Sequence, residues 1–337
     1  MLIRFAVENH LSIRDRQELS MVAAGLQDKG VDLITVNNVK LVPAALIYGA
    51  NASGKSNFLS ALSLLSGAVE SSHAQTKPNS KIPRSPFLLD EKSKSSPTKI
   101  DLDFFLNEVR FHYGFVATND AFIEEWLYAF PSGKKQVWFY RDATKRSIHF
   151  GKNLKGSLKT IEGLTRPNSL FLSAAAQNAH KQLTEIFDYL SSFSFKYRIE
   201  NESQHAVAAF AKGAIDGRII RFLQQADTGV VSHQFREMIS DSKIDRKSFM
   251  NDVVNLFKKY SPEAQGFPPD WDDVELKKIS LGHRTGTKRP KFFDLRLESA
   301  GTLRLLVLLK TIFQALDQGS LVVIDELELH PVLLTPA

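Results

Sequence analysis

The octet Gly49-Ala50-Asn51-Ala52-Ser53-Gly54-Lys55-Ser56 constrains this chain more than any other segment. It satisfies the pattern G-x-x-x-x-G-K-S, between the apolar Leu46-Ile47-Tyr48 and the apolar-periodic Phe58-Leu59-Ser60-Ala61-Leu62. A strand, a glycine-rich turn and a helix in that succession make a phosphate cradle. The glycines let the chain turn tightly and aim successive backbone amides at one anion, and the helix adds the positive end of its dipole. Lys55 is expected to reach the β- and γ-phosphates, and the Ser56 hydroxyl to ligate Mg2+. The octet does not itself choose between ATP and GTP. The chain has no Asn/Thr-Lys-x-Asp guanine-reading segment, which favours ATP.

Near the other end, Leu321-Val322-Val323-Ile324 is an apolar run that stops at Asp325 and Glu326. A buried parallel strand delivers carboxylates at its C-terminal edge in this way. Asp325 is expected to hold Mg2+ beside Ser56, and Glu326 to polarise the attacking water. Apolar strands often end in acidic turns, so this string gains its weight from the octet.

Between these fragments the pattern changes several times. Ile3, Phe5 and Val7 alternate as one strand, and Leu19, Met21 and Ala23 suggest a weaker second one. With the octet and its helix they fill 1–65. A polar, Ser/Lys/Pro-rich excursion follows over 66–99. Residues 100–150 predict a meander of antiparallel strands, with Phe111, Tyr113 and Phe115 on one face. Residues 170–285 read as predominantly helical, including a helix through Gln177–Phe193 and another capped by Asp245. Residues 290–337 return to a turn, a helix and the acidic strand. The two ends are therefore expected to form one α/β nucleotide-binding core with the middle inserted.

The 337 residues are 43% apolar and 24% charged, as in a chain that buries a core. No apolar stretch approaches the roughly 20 residues needed to span a bilayer, and the opening is too polar for a signal peptide. The expectation is a cytoplasmic protein without membrane contact. The absence of cysteine excludes disulfides and thiolate-held zinc. The net charge is +6, and basic residues recur at Lys77–Arg84, Lys92–Lys99, Lys145–Lys159 and Lys277–Lys291. It admits a nucleic-acid partner, but these segments look more like exposed loops than a continuous interface. Trp138-Phe139-Tyr140, beside Lys134, Lys135 and Arg141, suits base stacking or strand packing, and the alternation favours packing. His180 suits helix capping or packing. His283, with Arg284, Lys288 and Arg289, suits either a phosphate contact or a solvated loop.

Taken together, Ile3–Ile13 (IRFAVENHLSI), Tyr48–Asn57 (YGANASGKSN), Leu170–His180 (LFLSAAAQNAH), Ala226–Val230 (ADTGV), the Glu298–Thr302 turn (ESAGT) and the Leu321–Glu326 strand (LVVIDE) carry a resemblance. The chain resembles ABC-type ATPases of the RecF, SMC and overcoming-lysogenisation-defect group, particularly their small bacterial AAA15/AAA21-type relatives. That resemblance implies a P-loop NTPase of ABC-ATPase-head type, with an antiparallel β meander and a helical insertion. It implies ATP and Mg2+ as cofactors, with Gly49, Asn51, Gly54, Lys55, Ser56 and Asn57 around the nucleotide and Lys55 and Glu326 in catalysis. It also implies that Ser299 and Gly301 complete the nucleotide site of a second copy in an ATP-dependent homodimer. Without the resemblance, that turn reads as an ordinary helix cap. A DNA-associated or phage-defence role and an effector protein as partner come with the group. The group's turn after the acidic pair is longer than Leu327-Glu328-Leu329-His330-Pro331, so His330 does not take its switch-histidine role. The chain stops six residues after Pro331. The expectation is thus a C-terminally incomplete head, completed by a complementary C-terminal chain if it is completed at all. The alternative function is an ATP-binding regulatory subunit that hydrolyses little alone.

Overall fold

Alternation of apolar and polar side chains decides the architecture of the N-terminal half. In the computed structural model, which describes residues 1–25, 32–145, 147–196, 206–207, 209–210, 215–226, 228–237, 277–287 and 289–325, the chain divides into two units. The first is Met1–Phe195 with Gly319–Val323, and the second is Lys196–Gln318 with Ile324–Ala337.

The first unit is built on strands β1 (Leu2–Glu8), β2 (Gln17–Ser20), β5 (Thr98–Leu106), β6 (Val109–Ala117), β7 (Phe122–Phe130), β8 (Gln136–Asp142) and β9 (Ser147–Phe150). They form one sheet in the order β2-β1-β5-β6-β7-β8-β9, antiparallel at every step. The short strands β3 (Ile34–Val36) and β4 (Val39–Leu41) form a hairpin of their own, and Leu41 of β4 also bridges Val22. The fold is mixed α/β with a mainly antiparallel sheet. One row of side chains, Phe5, Leu102, Tyr113, Leu127 and Phe139, crosses five strands, and no member is more than 1% exposed. Burying a side chain of this size stabilises the fold by about 1.5–3 kcal/mol. Helices α1 (Lys55–Ser71), α4 (Phe171–Gln177) and α5 (Lys181–Ser191) add Leu65, Val69, Phe171, Leu183 and Leu190 to the same core. The remaining helices of this unit, α2 (Glu91–Ser95) and α3 (Leu158–Leu164), are short.

The polar face of the sheet is an ion lattice. Arg4 and Arg110 both reach Asp103, at 2.7 and 2.8 Å, and Arg16 reaches Asp101 at 2.8 Å. Burial alone would raise the Asp101 carboxyl. Hydrogen bonds from His112 and Arg16 and the charges of Arg16 and Arg4 outweigh it and hold the pKa at about 2. The aromatic rings of β7 on this face carry cations: Lys99 over Trp126, Lys135 over Tyr128 and Arg110 over Phe130. Of the three residues weighed for base stacking, Phe139 is core, Trp138 packs edge-on against Phe111, and the Tyr140 hydroxyl donates to Glu124.

Glu125 is the exception to the alternation: it shares the inward phase of Leu127 and Ala129 and is fully buried. Its carboxylate accepts from the Tyr113 hydroxyl and from the Phe171 and Leu172 amides, so it caps α4. Burial pushes its pKa up, against the pull of nearby Arg141 and the two amides. The helix expected through Gln177–Phe193 is α5, which starts only at Lys181; Gln177 is the last residue of the separate helix α4. Asn178 and Ala179 separate the two, with Ala179 at φ 55°, and His180 opens α5 by accepting the Leu183 amide on Nδ1.

In the second unit, strands β11 (Val230–Glu237), β12 (Lys277–His283) and β13 (Lys291–Asp294) form an antiparallel sheet. Helices α6 (Gly217–Gln225) and α7 (Ala300–Gln318) share its core through Ile219, Leu223, Leu281, Leu303 and Leu306. Arg218 joins Asp216 to Asp317 across these helices. In the first unit, where strand β10 (Ser194–Lys196) meets β14 (Val322–Ile324), the Ser194 amide donates to the Leu321 carbonyl at 2.8 Å. The helix expected from Asp245, Glu326 and His330 lie outside the described residues. Among the described residues, no helix is long and apolar enough to cross a membrane.

Candidate nucleotide site

The loop that opens α1 has the backbone its glycines permit. Gly54 stands at the N-cap with φ 95°, a left-handed conformation, and Ala52 is also left-handed at φ 62°. No side chain caps α1, so its first amides face outward without a competitor. The Lys55 ammonium bends back over the loop and donates to the carbonyls of Gly49 at 2.8 Å and Ala50 at 3.0 Å. A side chain at either glycine would push aside a serine hydroxyl, and at Gly54 it would also strain the left-handed backbone. A Cβ on Gly49 would lie 2.7 Å from Ser53 Oγ, and one on Gly54 would lie 2.8 Å from Ser12 Oγ. Gly49, Asn51 and Ser56 are exposed, while Gly54, Lys55 and Asn57 are half-buried. Open amides, a helix N-terminus and a lysine at the mouth fit a phosphate group.

The helix behind this loop is fixed along its length. Its buried residues Ala61, Leu62, Leu65, Ser66 and Val69 face the core, and Phe58 meets Phe5 edge-on at 5.2 Å. At its far end, Arg166 Nη2 donates to the carbonyls of Ser72, His73 and Thr76. That placement suits the negative end of the helix dipole.

A second segment, absent from the sequence-based site, lies against the loop. After β1 the chain turns through Asn9 and Leu11, at φ 56° and 50°. The Asn9 amide group donates to Ser93 and Ser96 carbonyls and accepts the Phe87 amide, which fixes the turn. The turn brings His10 Nε2 to 2.9 Å from Ser60 Oγ, and Ser12 Oγ to 2.7 Å from Asn57 Nδ2. Ser60 Oγ donates to the Asn57 carbonyl, so His10 Nε2 must be the donor to Ser60. His10 Nδ1 is then a buried acceptor with no partner. Burial lowers the His10 pKa to about 4. The sequence signals a turn here, with Asn9, His10 and Ser12 directly after a buried strand, but not where the turn docks.

The strand expected before the loop is not formed. Residues 43–50 are exposed and without regular structure, with Leu46 64% and Tyr48 84% accessible. A strand exists only through a neighbour's hydrogen bonds. The apolar run before Asp325, expected as a buried strand, forms β14 and pairs with β10.

In the second unit, Ser299 and Gly301 sit at the start of α7. Ser299 Oγ accepts the Thr302 amide at 3.0 Å, which is a helix cap. Just ahead of it, Glu298 Oε1 hydrogen-bonds His283 Nε2 at 2.8 Å, so His283 has a protein partner. Asp325 follows β14 directly and is half-buried. Among the described residues there is no cluster of three or more acidic or histidine ligands for a metal.

A left-handed glycine at the head of an uncapped helix, with lysine folded over its mouth, defines a P-loop nucleotide-binding protein. The family described as "AAA domain, putative AbiEii toxin, Type IV TA system" matches residues 44–334, and the chain belongs to that family. Comparison with curated proteins gave no match.

Proposed function

We propose that this protein binds ATP with Mg2+ on the Gly49–Ser56 loop, hydrolyses it to ADP and phosphate, and associates with a second copy when ATP is bound. The observation that carries the reading is the open N-terminus of α1 beneath Lys55. Lys55 exchanges the Gly49 and Ala50 carbonyls for phosphate oxygens, and the loop amides hold the same anion. Ser56 and Asp325 are the Mg2+ ligands of this reading, and Glu326 aligns the attacking water. Mg2+ supplies charge neutralisation on the phosphates when bound. Ser299 and Gly301, at the start of α7, face the nucleotide of the partner copy. The toxin–antitoxin wording of the family supports a defence role.

Lys55→Ala should abolish nucleotide binding measured by calorimetry while leaving the protein folded. Glu326→Gln should keep binding and lose turnover. Equal ATP affinity for folded wild type and Lys55→Ala would refute the site. Binding with no turnover under any condition would leave a nucleotide-holding regulatory subunit.

A further inference from the structure

Ser12 occupies a position that the core of the sheet does not require. It is exposed, yet the turn carrying it is held by four hydrogen bonds of the Asn9 side chain, to the carbonyls of Ser93, Ser96 and Pro97 and from the Phe87 amide. That turn delivers Ser12 Oγ to the mouth of the phosphate loop, at 2.7 Å from Asn57 Nδ2 and 2.8 Å from the space a Cβ on Gly54 would take. Asn57 Nδ2 donates to Ser12 Oγ, so the oxygen is used as an acceptor and the hydroxyl hydrogen remains available. Among the described residues nothing accepts it. His10, two residues earlier, clamps the same turn to α1 through Ser60, which in turn bonds the Asn57 carbonyl. The arrangement is a bracket: two side chains of the turn grip the first turns of α1, Ser12 at Asn57 and His10 at Ser60.

We infer that Ser12 is a further nucleotide-binding residue, donating its hydroxyl hydrogen to the phosphate chain held by the loop, with His10 and Asn57 as the residues that position it. The inference rests on the proposed nucleotide reading and adds a contact from outside the octet. Lys55 serves the β- and γ-phosphates. Ser12 is tied to Asn57, two residues further into the helix, and serves the part of the ligand common to ADP and ATP. Its loss therefore weakens both nucleotides by the same factor. A hydroxyl donor to a charged phosphate accounts for about tenfold in affinity.

The test is calorimetric titration of ADP and Mg2+–ATP into wild type, Ser12→Ala, Asn57→Ala, the double variant and Lys55→Ala, with melting temperatures recorded without nucleotide. The expected result is about tenfold weaker binding of both nucleotides by Ser12→Ala, with an unchanged melting temperature. The same substitution should still weaken binding several-fold in the Asn57→Ala background. Equal affinities for Asn57→Ala and the double variant would show that Ser12 acts only by bracing Asn57, and would overturn the inference. So would wild-type affinity in Ser12→Ala alongside lost binding in Lys55→Ala, a result that leaves the loop assignment standing. Failure of the wild type to bind nucleotide overturns both together.

Discussion

Acid should loosen the bracket around the phosphate loop through one side chain, His10. Its imidazole is 4% exposed, donates to Ser60 through Nε2 and holds an unpartnered Nδ1 inside the protein. Protonation would place a charge and a second donor where nothing accepts either. Burial accordingly lowers its pKa from 6.5 to about 4. Because the folded value lies below the unfolded one, the unfolded chain takes the proton first. Stability is therefore lost as pH falls through 6.5, and the loss levels off below about 4. Integrating between pH 7 and pH 4.5 gives a loss of about 2 kcal/mol from this residue alone. Urea denaturation of wild type and His10→Gln at both pH values, followed by tryptophan fluorescence, isolates it. Other titrating groups, Asp101 included, are common to the two proteins and cancel. The wild type should lose about 2 kcal/mol more than the variant over this interval. Equal losses in the two proteins would refute the assignment of His10 as a neutral, buried donor.

Four other outcomes follow from the same contacts. Gly54→Ala should cost about 1–3 kcal/mol in thermal or urea unfolding, because the residue keeps a left-handed backbone and its new Cβ displaces Ser12 from Asn57. Glu125→Leu should cost at least about 3 kcal/mol, since it strands the Phe171 and Leu172 amides and the Tyr113 hydroxyl inside the core. Far-ultraviolet circular dichroism during urea titration would register it, and wild-type stability would contradict the capping role. Ser299→Ala should cost about 1 kcal/mol by removing the cap of α7, read from the melting temperature. Ser299→Arg should prevent ATP-dependent association in analytical ultracentrifugation while leaving nucleotide binding by the Gly49–Ser56 loop intact.

What could be read from the sequence was what is encoded locally. Gly49, Gly54 and Lys55 specify a loop whose conformation depends on a few adjacent dihedrals, and the loop formed as its residues required. The alternating Phe111, Tyr113 and Phe115 specified a buried face because side-chain direction follows from strand period alone. The strand before the loop was not legible in the same sense, since Leu46-Ile47-Tyr48 has strand composition but its state depends on a distant neighbour. Nor was the break at Ala179, where an alanine takes a conformation usually left to glycine or asparagine. Glu125 looked like one more polar residue beside Glu124, although its phase with Leu127 already placed it inward. Ser12 escaped notice because its partner Asn57 lies 45 positions away and no periodicity links them.

The sheet's strand order also sets a timetable for folding. Strands β5 to β9 join neighbours through short turns, and Asp103 meets Arg110 only seven positions along the chain. Pairing β1 with β5, by contrast, brings together Arg4 and Asp103, which are 99 positions apart. Closing so long a loop carries an entropic cost that local hairpins avoid, so the meander should be native before the first strand arrives. The phosphate loop and α1 lie inside the segment that this closure encloses. Ser12 and His10 reach α1 only when β1 has docked, so the bracket is one of the last features to assemble. During synthesis the N-terminal strand leaves the ribosome first and must wait for its neighbour, β5. A bound nucleotide would therefore report that the chain's most distant strand pairing in this sheet has already closed.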